Sequence, residues 1–501
     1  MKLLKLSAVA ALSCALSISA NAAETKPKRE LKNNMMVKTN IVPGEVDSLS
    51  EMFTEGMFYG RIRTNYFKWD WKNDDTAATG NKDNEAFGLG GSLLYKSASY
   101  NGVSAMAGFY FTSSPIAALR QDEADIKYVK AGKDTFSRYQ ISTTGVWEYS
   151  VLAEANIQYE VSKTKVIAGR QIFESFLTKS NDTKMIPNTF EAVVLETKEL
   201  AKTKIRGAYI TAQKLRDHTT FHDVITFKDE AGNSWANNDD SAVHKGLSYQ
   251  NFVTAGEDVN HELIVIDLHN TSIENLKVDV TYGSVPGVVS SITGELNYKI
   301  ALSGGYSLTP GVRYMNQMDN GGGAVGGATL KGTLAIDKAP ATNLGYKDRY
   351  TLDSSLWMAR LVLKKGAFKA KIAYSAVEDA ADIVAPWRGF PTGGYTRAMA
   401  QYNWYANTKT AAAELHYDFN KAGLITGFSA MARYAIQNFD EAKQAAGVQA
   451  DSNILHVDLR ENFGNGLYAK IRVGLVSADS RVSGVEKDSY NEYRFELNYL
   501  F

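Results

Sequence analysis

Along most of the chain, apolar and polar residues alternate with period two. Residues 491–501 put Tyr493, Phe495, Leu497, Tyr499 and Phe501 on one parity and Glu492, Arg494 and Glu496 on the other. Period two marks a strand, because successive side chains leave opposite faces of a sheet. The parity returns in residues 467–477, with Ala469, Ile471, Val473 and Leu475 against Lys470, Arg472 and Gly474. In residues 454–460, Leu455, Val457 and Leu459 oppose His456, Asp458 and Arg460; in 275–282, Leu276, Val278, Val280 and Tyr282 oppose Asn275, Lys277, Asp279 and Thr281. Residues 151–160 read the same way, Val151, Ala153, Ala155, Ile157 and Tyr159 against Glu154, Asn156, Gln158 and Glu160. A sealed core cannot absorb such polar faces, since each unpaired buried ion costs several kcal/mol. The polar faces therefore meet water.

From residue 56 onward about 18 such segments follow one another, each roughly 10–14 residues, the length a tilted membrane strand needs. Their joins alternate in length. Short ones lie at 99–102, 162–163, 200–202, 301–305, 365–366, 420–423 and 464–466. Long ones lie at 71–84, 113–146, 173–188, 214–260, 319–352, 378–405, 439–450 and 479–489; the long-side join at 283–290 is short. A soluble sandwich has no reason for this alternation. It predicts an all-β fold, a transmembrane antiparallel up-and-down β-barrel of about 18 strands with short periplasmic turns, long extracellular loops and both termini periplasmic. Aromatic runs such as 66–71 and 109–111 are expected to straddle the lipid boundary.

Composition sharpens this picture. In 501 residues there are 40 Gly, 27 Tyr and 21 Phe but only 9 Pro, and no linker breaks the chain into domains. Lys2 and Lys5, an uncharged stretch over 6–20, and Ala20-Asn21-Ala22 predict a secretory signal over 1–22, too short to span a bilayer as a helix. Residues 23–52 then form a periplasmic N-terminal segment and 53–501 a single barrel domain. The one cysteine, Cys14, lies inside the signal, which excludes a disulfide framework or Cys-ligated zinc from the mature chain. With 55 basic and 55 acidic residues, no bulk charge points to nucleic acid.

Three stretches resemble the OprD-type family of outer-membrane channels, often described as carboxylate channels. They are residues 56–63 (GMFYGRIR), 88–96 (GLGGSLLYK), and Gly169-Arg170-Gln171 followed by 181–190 (NDTKMIPNTF). The resemblance is good over roughly 53–200 and the final strands, and weak between, notably at 214–258 and in the Gly-rich 321–327; residues 23–50 are longer than the family's usual lead-in. It implies an 18-stranded pore in the outer membrane of a Gram-negative bacterium, a monomer or loose trimer. It also implies that the third long loop folds into the pore, which makes Glu174, Lys179, Asp182 and Lys184 constriction-loop residues.

In a closed barrel the last strand pairs with the first. Arg61, Arg63, Arg460, Lys470, Arg472 and Arg494 then share one wall, diluted by Asp458, Glu492 and Glu496. Glu154, Glu160, Asp267, Asp279 and Glu295 are expected to face them as an acidic wall, and opposed rows would set a transverse field that orients dipolar solutes or guides carboxylates. His218 and His222, flanked by Asp217 and Asp223, read as solvent-facing loop rather than a metal site, and 321–327 lacks the context of a phosphate loop. No metal or cofactor is expected. No spacing suggests a nucleophile, base and orienter. The reading is a porin for small polar or carboxylate solutes, in contact with lipid and lipopolysaccharide; a barrel hydrolase and an adhesin or scaffold barrel are the alternatives.

Overall fold

The computed structural model describes residues 29–32, 34–225, 244–399 and 401–501; the expected signal lies outside them. Among the described residues, eighteen long strands form one closed antiparallel barrel. They are β1 (Met57–Trp71), β2 (Asn84–Lys96), β3 (Val103–Ser113), β4 (Glu148–Val161), β5 (Thr164–Gln171), β6 (Thr189–Thr197), β7 (Thr203–Lys214), β8 (Leu263–Asn270) and β9 (Leu276–Val285). The circuit continues through β10 (Val289–Tyr298), β11 (Ser307–Asp319), β12 (Ser354–Lys365), β13 (Phe368–Val377), β14 (Lys409–Asp418), β15 (Phe428–Asn438), β16 (Ser452–Gly464), β17 (Leu467–Ala478) and β18 (Tyr490–Leu500). A two-residue piece, Ile300–Ala301, extends the edge of β11. β18 pairs with β1 from Tyr490↔Trp71 to Leu500↔Arg61, so no ladder edge is left open to lipid.

The parity places oil outside. Ile157, Ile372 and Leu415 are 62%, 61% and 56% exposed on the outer face, whereas Arg61 and Arg63 are each 1% exposed inside. Outward Tyr159, Tyr298 and Tyr499 ring the short-turn end, and outward Tyr209, Trp357 and Tyr434 lie toward the long-loop end. Two expectations need correction. In β4 a bulge opposite Gly108/Phe109 reverses the parity: Glu154 and Asn156 point inward as expected, but Val151 and Ala153 are buried inside and Leu152 faces out. One extra residue on a strand swaps the faces of everything before it. In the aromatic run of β1, Phe67 and Trp69 share the inward parity of Arg61 and are buried; Trp69 stacks on Tyr490 at 3.7 Å.

The interior is not uniformly polar either. Toward the long-loop ends of β6 to β13 the inward residues are apolar (Val194, Ile210, Val265, Met315, Met358), and they bury Ile225, Leu247, Val325, Ile383, Trp387 and Trp404 from loops folded into the barrel. At that level the open space lies toward the wall of β1, β17 and β18, where Trp69, Arg472 and Arg494 line it. From the short-turn end, residues 29–32 and 34–39 also enter the lumen as a hairpin, with Arg29–Leu31 paired to Val37–Thr39. Met35 at its tip is in the left-handed region (φ 69°) and offers its carbonyl to Arg61, Asn34 Nδ2 donates to Glu174 at 2.6 Å, and Tyr468 Oη donates to the Arg29 carbonyl at 3.3 Å. Part of the segment expected as a plain periplasmic lead-in is thus inside the barrel. A short helix, Leu49–Thr54, follows it at that end, where Ala98 N donates to the Met52 carbonyl at 2.9 Å.

Candidate functional site

The third long loop, residues 172–188, lies against the inner wall, tied to strands and to neighbouring loops. Arg61 and Arg63 alternate inward on β1 and grip one carboxylate, Asp182; Arg63 Nη1 lies 2.7 Å from its Oδ1. Asn65, next on the same parity, donates to the Lys184 carbonyl. From the other side Lys214 Nζ donates to the Pro187 carbonyl at 3.0 Å, and Arg216 Nη1 donates to the Asn181 carbonyl at 3.1 Å. Arg216 is itself paired with Asp134, and Arg388 reaches Asp134 and Asp217 at 3.6 and 3.4 Å. Lys179 N donates to the Trp387 carbonyl at 3.0 Å, which joins this loop to the one over 378–408.

The expected charges are inside, but in a different arrangement from two opposed rows. On the basic wall, Arg63 also holds Glu496 at 3.0 Å, Arg472 holds Asp458 through two bonds of 2.6 and 2.7 Å, Arg460 reaches the same carboxylate at 3.2 Å, and Arg494 pairs with Glu492. Lys470 stands opposite Glu496 in the register. The expected acidic wall is not acidic on balance. Arg206 pairs with Asp267, Arg313 and Arg360 both hold Glu295, His269 and Lys277 hold Asp279, and Lys165 holds Glu160 at 2.9 Å. Glu154 accepts from Tyr110 Oη at 2.7 Å. On β13 to β15, Lys371 and Arg433 flank Glu414. The reason is register: an inward carboxylate falls beside an inward cation one strand over, and burial in a narrow lumen rewards pairing.

Sequence reading missed Arg206, Arg313, Arg360, Lys371 and Arg433, although each lies on the inward parity of its strand. It also missed Arg216, Arg388 and Arg397, which lie on loops, where no period exists to read. Glu174 accepts from Ser180 N at 3.3 Å as well as from Asn34. Among the described residues no group of three His, Cys, Asp or Glu side chains converges as metal ligands would. His218 and His222 hydrogen-bond to each other at 2.9 Å.

Among the described residues, two large cavities lie in the lumen. One of 470 Å³ lies toward the short turns, between the hairpin, the third loop and β7 to β11, and mixes Glu174, Asp279 and Glu295 with Lys179, Arg206 and Arg313. The other, 580 Å³, opens toward the long loops and is lined by twelve Lys and Arg side chains against two Asp. Asn181 and Phe390 line both. The Arg397 guanidinium stacks 3.5 Å from the Phe390 ring centre, and Tyr402 and Trp404 pack beside it. Lys184 reaches into the second cavity over the Phe67 ring, and burial together with the Arg494 guanidinium holds its pKa well below that of a free lysine. Replacing Phe390 with Ala should widen the junction, and single-channel conductance is expected to rise on the order of twofold; an unchanged conductance would mean that the narrowest point is elsewhere.

The model of the family described as "outer membrane porin, OprD family" matches residues 53–501. No curated protein matches the sequence. Among solved structures, OccK9 (OpdG) of Pseudomonas aeruginosa superposes with a TM-score of 0.66 at 15% identity, over 90% of this chain and 99% of that one. OccAB4 of Acinetobacter baumannii gives 0.66 at 15% identity, over 89% and 98%. A BenF-like porin of Pseudomonas fluorescens Pf-5 gives 0.64 at 13%, over 90% and 99%. At such identities the likeness speaks for the fold.

Proposed function

Because the chain belongs to the OprD family of outer membrane porins, we propose that it passes small polar solutes by passive diffusion and favours anions, carboxylates among them. Solutes enter from the long-loop side, taken as extracellular, and leave at the short turns. The observation that carries this reading is the lining of the larger cavity, twelve cationic side chains to two carboxylates, at the mouth that a solute meets first. A low-dielectric wall focuses that field into the lumen and raises the local concentration of anions.

The test is the reversal potential of the purified protein in a planar bilayer under a salt gradient. Anion selectivity is expected, and it should weaken as pH rises. Burial, with Lys133, Lys331 and Arg138 around them, brings Lys130 down to about 8 and Lys245 to about 7, so both lose their charge as pH climbs from 6 to 9. Cation selectivity at pH 6 would contradict the reading. A complete lack of current steps would favour a scaffold barrel.

A further inference from the structure

Between the luminal hairpin and β1 the chain leaves the lumen and passes to the outer side of the barrel's short-turn end. The Gly44 carbonyl accepts from Ser99 N at 2.9 Å and Val46 N donates to the Ser99 carbonyl at 2.8 Å, so residues 44–46 are clamped to the turn between β2 and β3. The helix over Leu49–Thr54 starts directly behind them. Ser48 Oγ caps the Glu51 amide at 3.2 Å, and the Glu51 carboxylate reaches back to accept from Asp47 N at 3.1 Å. Tyr95 fixes where the helix lies. Its ring is on the outward parity of β2 and faces Phe58 of β1 in the register, with ring centres 4.9 Å apart. Its hydroxyl donates to the Phe53 carbonyl at 2.7 Å. The helix therefore sits at the foot of the oily outer face.

Helical spacing puts Leu49, Met52 and Phe53 on one side and Glu51 and Thr54 on the other. Met52 is buried against the barrel, but Leu49 and Phe53 stay 61% and 54% exposed. They adjoin Phe58, itself exposed on the face that lipid covers. Exposed Leu200, Ile273 and Leu424 sit on other short turns, so apolar tips recur around the rim at this end. A single protein partner would call for a patch on one side, whereas a leaflet surrounds the barrel and meets all of these tips. We infer that the helix over Leu49–Thr54 is an interfacial foot. Leu49 and Phe53 insert among the phospholipids of the leaflet at the short turns, and the clamp at Ser99 passes that hold to the base of the luminal hairpin. Residues 41–55 carry Glu45, Asp47, Glu51 and Glu55 and no Lys or Arg. The hold is therefore apolar, and it suits zwitterionic head groups better than anionic ones.

The foot needs only a barrel seated in a membrane, so it stands or falls apart from the anion reading. Cys14 is the chain's one cysteine, and in a Cys14→Ser background Leu49→Cys, Phe53→Cys and Thr54→Cys each offer a unique site for a spin label. The full protein is reconstituted in phosphatidylcholine vesicles, and collision of each label with oxygen, which concentrates in lipid, is compared with collision with a water-soluble nickel chelate. Ile372→Cys, on the outer face, is the lipid reference. The oxygen-to-nickel ratio at 49 and 53 is expected to exceed that at 54 by at least about threefold, because the two faces of an in-plane helix lie in different media. Adding phosphatidylglycerol should leave that ratio unchanged or lower it. Ratios at 49 and 53 equal to that at 54 overturn the foot. Poor access to both reagents does so too, since it would place a second copy or another protein on this face. A ratio that phosphatidylglycerol raises overturns the apolar hold. For the mooring of the hairpin, Leu49→Gln with Phe53→Gln should speed amide exchange over 44–46 several-fold, with heat-modifiable gel mobility showing that each variant is folded. Unchanged exchange overturns the mooring even where the labels report lipid.

Discussion

Replacing Asp182 with Ala should release the third loop from the barrel wall and raise conductance several-fold, with added open-channel noise. Asp182 is 2% exposed and is the shared counter-ion of Arg61 and Arg63, which are themselves buried. Removing one partner of a buried ion pair costs about 3–5 kcal/mol, because the charge left behind has no water to replace it. Arg63 would keep Glu496, but Arg61 would keep only the Met35 carbonyl. The barrel should survive, since its eighteen-strand ladder does not pass through Asp182. The cost would instead be relieved by moving 172–188 and letting water reach the guanidinium groups. Single-channel recording and backbone hydrogen exchange over 172–188 check this, with heat-modifiable gel mobility as the folding control. Asp182→Asn, which keeps an acceptor but loses the charge, should fall between. Unchanged conductance and exchange would show that Lys214 and Arg216 hold the loop unaided.

The second large effect concerns the hairpin. A chain lacking residues 29–40 should conduct more than the full chain and lose brief closures, because the hairpin fills lumen beside Arg61, Glu174 and Tyr468. Its hold is weak. Three polar ties contribute roughly 0.5–3 kcal/mol each, whereas ordering backbone costs about 1–2 kcal/mol per residue. The burial of Met35 and the packing of Val37 against the inner cluster around Tyr59 and Met185 offset part of that. A balance this close predicts exchange between inserted and withdrawn states. Conductance histograms of the two chains test it: identical levels and identical closures would mean that the hairpin does not obstruct flow. Arg61 contacts both hairpin and third loop, so the Asp182 substitution should also change the closure rate.

Both effects depend on contacts between residues far apart in the chain, and here the sequence reading ran out. Parity in β17 and β18 separates Lys470, Arg472, Arg494 and Glu496 from Ile471, Tyr493 and Phe495 because a strand's faces follow from local geometry. Nothing in that pattern says that Glu295 lies between Arg313 and Arg360, since register depends on turns and bulges elsewhere. The bulge in β4 shows the limit most plainly: its residues alternate on paper without a break, yet Val151 and Ile157 leave opposite faces.

By itself, then, the order of residues determined an all-β chain, the alternation of short and long joins, an oily outside and a charged inside, because these are properties of neighbours along a strand or of the solvent each face needs. The tertiary structure decided which charges meet, that described loop residues within 215–225, 244–262, 320–353, 378–399 and 401–408 fill one side of the barrel, that residues 29–32 and 34–39 enter from the other end, and that cations from three loops line the outer mouth. Those outcomes turn on ring closure, strand register and loop packing, which bring together side chains that no sequence window contains.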